Sequence, residues 1–255
     1  MLKRLNSLWV GEDLGYLERL CIVSAIEVGH PFTIYSYTPE NLRGVPAGVE
    51  VRDAREVFPA EKFFCYKWAA LGSDFFRYAL LAKGCGYWVD LDVYMLGPFD
   101  FMTDYVFGWE RGGSINGAVL RLPDNCDMLN YLVSLPKRNW RPPFFGPKRT
   151  LYFYLKRLKG DVHPDDLDWG SFGPALITHL AEKYGVAKLA QEREVFYPIR
   201  YEEAHVFSGP AETVERMLTP QTRAVHLWHS KLDAAVKNSP PPGSFLEAAC
   251  RRHGI

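Results

Sequence analysis

The sequence predicts an α/β protein whose mostly parallel, Rossmann-like central sheet is flanked by helices. Three observations support this. The first residues spell a strand, a helix and a second strand in that order. A later helical stretch ends in glycines and feeds a short apolar strand. The chain has 255 residues, 47% apolar and 24% charged, enough for one large α/β domain or two small ones of ordinary globular composition.

Residues 5–10 (LNSLWV) read as a buried strand closed by Gly11. From Gly15 to Val28, Leu17, Leu20, Cys21, Ala25 and Val28 recur at helical spacing, and Gly29-His30-Pro31 ends the run. Residues 32–37 (FTIYSY) form the second strand, and residues 45–51 contain a third, weaker one. A β-α-β opening favours parallel pairing. Residues 67–83 carry Trp68, Leu71, Phe75, Ala79 and Ala82 at three- and four-residue steps and read as a helix. Gly84 and Gly86 break it, and Tyr87-Trp88-Val89 runs as a strand into Asp90-Leu91-Asp92. Strands are expected at 105–109, 118–122, 195–198 and 224–228, and helices at 125–135 and 174–184. Residues 136–147 read as a long surface loop, and Ser239 to Gly243 (SPPPG) as a linker before a short terminal helix.

Lysine plus arginine equal aspartate plus glutamate at 30 each, so overall charge points to neither a nucleic-acid binder nor an acidic tail protein. Five cysteines at wide spacings make neither a disulfide framework nor a zinc knuckle, and favour a reducing compartment. The start of the chain is too short in apolar residues for a signal peptide, and no run is long enough to span a bilayer. A cytoplasmic protein is expected, with peripheral attachment to the inner face of the cell membrane left open. One stretch breaks the charge balance. Residues 128–160 hold no acid and eight cations: Lys137, Arg138, Arg141, Lys148, Arg149, Lys156, Arg157 and Lys159. Aromatic residues are interleaved with them. Such a stretch suits anionic headgroups or phosphates, or is simply a solvated basic loop and helix.

The strongest chemical signal is Ser73-Asp74-Phe75-Phe76-Arg77-Tyr78 followed by Asp90-Leu91-Asp92. A D-x-D pair proves little alone, since Asp166 and Asp168 make a second one in a polar loop. Asp90 and Asp92 differ in following an apolar strand, and ligands of open α/β sheets bind beyond the carboxyl ends of strands. Two carboxylates there form a hard oxygen site suited to Mg²⁺ or Mn²⁺ bridging phosphates. Asp74 and Arg77, three apart on a helix, share a face. They make either a plain surface ion pair or a group that meets donor oxygens.

With these residues in order, the chain resembles the family 32 glycosyltransferases that carry a DXD sugar-binding motif. That group includes bacterial capsule and lipopolysaccharide sugar transferases, initiating mannosyltransferases and lactosylceramide α-galactosyltransferases. Further matching pieces are residues 7–11 (SLWVG), 115–119 (INGAV), 172–174 (FGP) and 226–229 (HLWH). The resemblance implies a GT-A fold over residues 1–238, with an acceptor-side insertion at about 136–168 and a linker and helix at 239–255. It also implies a nucleotide-sugar donor (a UDP-sugar ahead of GDP-mannose), Mn²⁺ or Mg²⁺, and retention of configuration at the transferred hexose. Asp92 would ligate the metal directly. Asp90 would touch the ribose or reach the metal through water. Trp9 would line the base pocket, while Asp74, Arg77 and Asn116 would hold the sugar. His226 or His229 would approach the metal or diphosphate, with Trp228 beside the leaving group. The acceptor would be a glycan or lipid-linked glycan of surface polysaccharide synthesis. Two other readings stay open: a nucleotide-sugar hydrolase, and a non-catalytic protein that binds glycans or anionic lipids.

Overall fold

The computed structural model describes residues 1–137 and 139–255; Arg138, counted among the basic cations above, lies outside the described residues. Strand β1 (Leu5–Trp9) leads into helix α1 (Tyr16–Glu27) and strand β2 (Phe32–Ser36). Gly29, at φ +97°, closes α1 where a side chain would be strained. Strand β3 (Glu50–Asp53) follows, shorter and later than expected. Pro46 cannot donate to a ladder and Gly48 sits at φ +82°, so pairing starts only beyond them. Next come the one-turn helix α2 (Ala60–Phe63), helix α3 (Ala69–Leu81), and strands β4 (Tyr87–Val89) and β5 (Val93–Met95).

Strands β6 (Val106–Arg111) and β7 (Ser114–Arg121) form a hairpin, and helices α4 (Asp127–Val133), α5 (Pro147–Arg157) and α6 (Pro174–Lys183) come next. Residues 195–198, expected as a strand, instead belong to the helical turn α7 (Arg193–Phe196) and the residues just after it. A run of four apolar residues has no period that separates strand from helix. Here Phe196 packs over Gly108 of β6, where a Cβ would lie 2.8 Å from the ring. Helix α8 (Ala211–Glu215), strand β8 (Ala224–His226), helix α9 (Ala234–Asn238) and helix α10 (Phe245–Arg252) complete the chain.

Six strands form one sheet in the order β3-β2-β1-β4-β7-β6. Pairs β2–β3, β1–β2 and β1–β4 are parallel, while β7 runs against both β4 and β6. The sheet is therefore mostly parallel, as the sequence predicts. Side chains alternate between its two faces. On β4, Tyr87 and Val89 join a core with α1, β8 and α10, whereas Trp88 joins one with α3, α4 and α6. Helices thus cover both faces, which is why β2 is buried along its whole length. Helix α10 sits in the first core through Phe245, Leu246, Ala249 and Cys250. Strand β5 leaves the main sheet and pairs antiparallel with β8, with Val93 opposite His226. Among the described residues, no helix is long and apolar enough to cross a membrane.

Candidate metal and donor site

Two local features bring Asp90 and Asp92 to the carboxyl end of β4. The Asp90 N–H still bonds Ala118 of β7 (2.8 Å), which extends the sheet by one residue. The chain then turns, with the Val93 N–H on the Asp90 carbonyl (3.2 Å), and enters β5. Pairing of β5 with β8 delivers His226 to Asp92. The imidazole Nε2 lies 3.0 Å from Asp92 Oδ1, and the Leu227 N–H bonds the Asp92 carbonyl at 2.7 Å. One ligand atom each of Asp90, Asp92 and His226 lies within 4.8 Å of the others.

Each member of the trio is held by neighbours that leave room for a further bond. Asp90 Oδ1 accepts from the Trp88 indole N–H (2.6 Å) and from Arg77 Nη2 (3.2 Å), and among the described residues nothing binds Oδ2. Trp228 adopts the left-handed region at φ 55°, rare for a bulky residue and common where function holds strain. That turn swings the His229 N–H back onto Asp92 Oδ2 at 2.9 Å. Among the described residues, the buried His226 Nδ1 has no partner. Burial works to raise the Asp92 pKa, but the charge and hydrogen bond of His226 and the His229 N–H outweigh it and hold it at about 2. Burial pushes His226 down, and the Asp92 carboxylate more than offsets this and raises it. Two carboxylates and an imidazole whose ligand atoms lie within 4.8 Å of one another fit a divalent cation, with Mn²⁺ tolerating the nitrogen better than Mg²⁺.

Of the two histidines left open by the sequence, His229 turns its ring toward Glu18 (3.9 Å) and gives the trio only its main-chain N–H. Trp228 commits its indole N–H to the Ile199 carbonyl (2.9 Å) and lays its ring 3.9 Å from that of His226. It therefore positions the imidazole, and has no N–H left for a leaving group. Arg77 is 8% exposed and gripped within the chain, by the Gly117 carbonyl at 3.0 Å, Asp90 at 3.2 Å and Asp74 at 3.6 Å. Its guanidinium aligns two carboxylates and lies over the Trp88 ring. Asn116 donates to Glu110 (2.8 Å) and accepts from the Ala118 N–H (2.7 Å), leaving one amide hydrogen for a ligand. Burial lifts Asp74 to about 6, with Arg77 opposing and Asp90 adding to the rise. Gly173, just ahead of α6, comes so close that a Cβ there would lie 3.1 Å from an Asp74 oxygen. Trp9 ends β1 with a buried indole N–H that has no partner among the described residues.

The second D-x-D has a different use. Asp166 caps the turn after His163 and pairs with Lys156, and Asp168 pairs with Arg149. Two features escaped the sequence reading. Glu18 is a buried carboxylate in the first turn of α1, and its only signal was an acid three residues after Gly15. A cavity of about 500 Å³ is lined by Glu110, Arg111, Arg193, Arg200, Tyr201 and Glu202. Tyr201 packs edge-on against Trp228, at 5.5 Å between ring centres. These residues lie on two segments far apart in sequence, so no local motif announced the cavity.

No protein-family profile matches the chain, and no curated protein matches it in sequence. A solved structure described as "PaToxG Glycosyltransferase" is similar in shape, at 13% identity and a TM-score of 0.47, with 97% of this chain and 87% of that chain covered. The fold and the trio define an α/β protein with a candidate divalent-cation site at the carboxyl end of a parallel strand.

Proposed function

We propose that the chain is a metal-dependent, retaining glycosyltransferase of GT-A type that moves a hexose from a nucleotide-sugar, a UDP-sugar ahead of GDP-mannose, to a glycan or lipid-linked acceptor. The observation that carries this reading is the convergence of Asp90, Asp92 and His226 from two separate sheets. Mn²⁺ or Mg²⁺ held by these three would neutralise charge on the diphosphate as the sugar leaves. The chain's own groups supply the rest. Asp74 and the remaining amide hydrogen of Asn116 orient sugar hydroxyls. Arg77 fixes the two carboxylates it touches, and Trp228 fixes the His226 ring. Trp9, at the end of β1, would line the base pocket. The cavity along Glu110 and Tyr201 has the acids, cations and aromatic ring suited to an acceptor sugar.

A thermal-shift panel of UDP- and GDP-sugars, with and without Mn²⁺, tests this on wild type and Asp92→Asn. A ligand that binds only the folded state raises apparent stability, by about 2.7 kcal/mol at a hundred times its Kd. One donor class is expected to stabilise the wild type, to need the metal, and to leave Asp92→Asn unshifted. No shift with any nucleotide would reject the donor site and bring the binding-protein reading forward. Release of free sugar that acceptor glycans never divert would mark a hydrolase.

A further inference from the structure

We propose that α5 is an interfacial helix that docks the protein on an anionic lipid surface by inserting an outward-facing leucine stripe. This rests on nothing in the transferase reading. At 3.6 residues per turn, Leu151, Leu155 and Leu158 fall on the side of the helix opposite Phe153, with Tyr154 at the edge of that side. Phe153 is the one buried residue of α5 among those described. The three leucines are 62%, 51% and 83% exposed in that order, and Tyr154 is 47% exposed. A helix of an ordinary globular surface buries its apolar stripe and shows its polar face. Here the apolar stripe faces out.

The cations of α5 divide in the same way. On the inner side, Arg149 pairs with Asp168 and Lys156 with Asp166, which ties the helix to the loop beneath it. Beside the outer stripe, Lys148 and Lys159 lie on one flank, while Arg157 falls back toward the Phe153 side. Among the described residues, neither Lys148 nor Lys159 has a carboxylate partner, the ion pairs of α5 being those of Arg149 and Lys156. Unpaired cations bordering exposed leucines are complementary to a surface that is anionic outside and apolar just below, as an acidic bilayer is. Two exposed indoles border the loop beneath α5. Trp169 (84% exposed) follows Asp168, and Trp68 (62% exposed) follows Lys67, whose N–H bonds Asp165 at 3.0 Å. Indoles favour the boundary between headgroups and hydrocarbon.

The test is co-sedimentation of the full chain with vesicles of phosphatidylcholine alone and of phosphatidylcholine mixed with phosphatidylglycerol. Wild type is expected to bind the mixed vesicles at least about tenfold more tightly, and more weakly as salt rises. The double variant Leu151→Glu/Leu155→Glu changes only exposed side chains, and its far-ultraviolet circular dichroism checks that it folds. It is expected to lose about tenfold or more, as is Lys148→Glu/Lys159→Glu. Undiminished binding by the leucine variant would overturn insertion, and failure of wild type to pellet with either vesicle would overturn docking. A wild-type dimer in gel filtration that the leucine variant dissolves, without vesicle binding, would assign the stripe to a second copy of the chain and overturn the proposal.

Discussion

Asp74 and His226 are both raised in the fold, so both lose stability as pH rises, each in its own pH window. The pKa of Asp74 is raised from 3.8 to about 6 in the fold, chiefly by burial. The unfolded chain therefore releases this proton first, and stability falls as pH rises from about 4 to about 6. A rise of this size corresponds to about 3 kcal/mol lost by neutral pH. Asp74→Asn carries no charge and escapes this loss. Its stability relative to wild type is expected to gain about 3 kcal/mol between pH 3 and pH 7, read from urea unfolding, while donor turnover drops. A difference constant with pH would show that Asp74 ionises freely. His226 is raised by Asp92, so its protonation contributes stability below about pH 6.5 that is lost as pH rises through its folded value. A protonated imidazole cannot ligate, so Mn²⁺ must displace that proton. Calorimetric Mn²⁺ affinity is expected to rise about tenfold per pH unit below the folded pKa and then level off. His226→Asn should flatten the rise. If it persists in that variant, His226 is not a ligand.

Among the elements, β4 matters most, because it aims Asp90 and is only three residues long. Its first rung is the Tyr87 N–H on the Arg4 carbonyl at 2.9 Å. Gly86 makes that rung possible, at φ +105° with the place of a Cβ only 2.4 Å from the Arg4 oxygen. Gly86→Ala must push β4 away from β1, and about 3 kcal/mol of destabilisation is expected. At Gly84, with φ +68° and a side chain as its nearest neighbour at 3.3 Å, alanine should cost only about 1 kcal/mol. Chemical denaturation of the two variants separates these cases, and equal midpoints would mean that the Gly86 approach is not tight. Both glycines were visible in the sequence as breakers, and the D-x-D as a strand-end pair. The first strands were legible as short apolar runs between breakers, because strands buried on both faces read as continuous apolar segments. The partner of Asp92 was only half legible. Two histidines flank Leu227-Trp228, and choosing between them takes the β5–β8 register and the left-handed Trp228, neither of which is a local pattern. The turn at 193–196 was misread for the same kind of reason, since Phe196 answers to Gly108 nearly ninety residues earlier.

Across the whole molecule, the candidate site depends on a core closed by the end of the chain. Composition set residues 239–255 apart as linker and helix, and residues 240–242 are indeed consecutive prolines. Yet α10 packs on α1 and α8. Tyr94 of β5 meets His253 at 2.9 Å, and His253 meets Glu27 of α1 at 2.7 Å. The same core holds β5 and β8, the ladder that joins Asp92 to His226. Loss of α10 packing should therefore loosen the site and the fold together. Leu246 is fully buried in this core, so Leu246→Ala removes its transfer energy and leaves a cavity, a cost of about 2–5 kcal/mol. If α10 is integral, the variant melts in one transition at lower temperature, with coincident tryptophan fluorescence and far-ultraviolet circular dichroism. Its Mn²⁺ affinity at low temperature should fall with the loosened ladder. An early, separate transition that leaves Mn²⁺ binding intact would instead make the terminal helix an appendage and the domain end near residue 238.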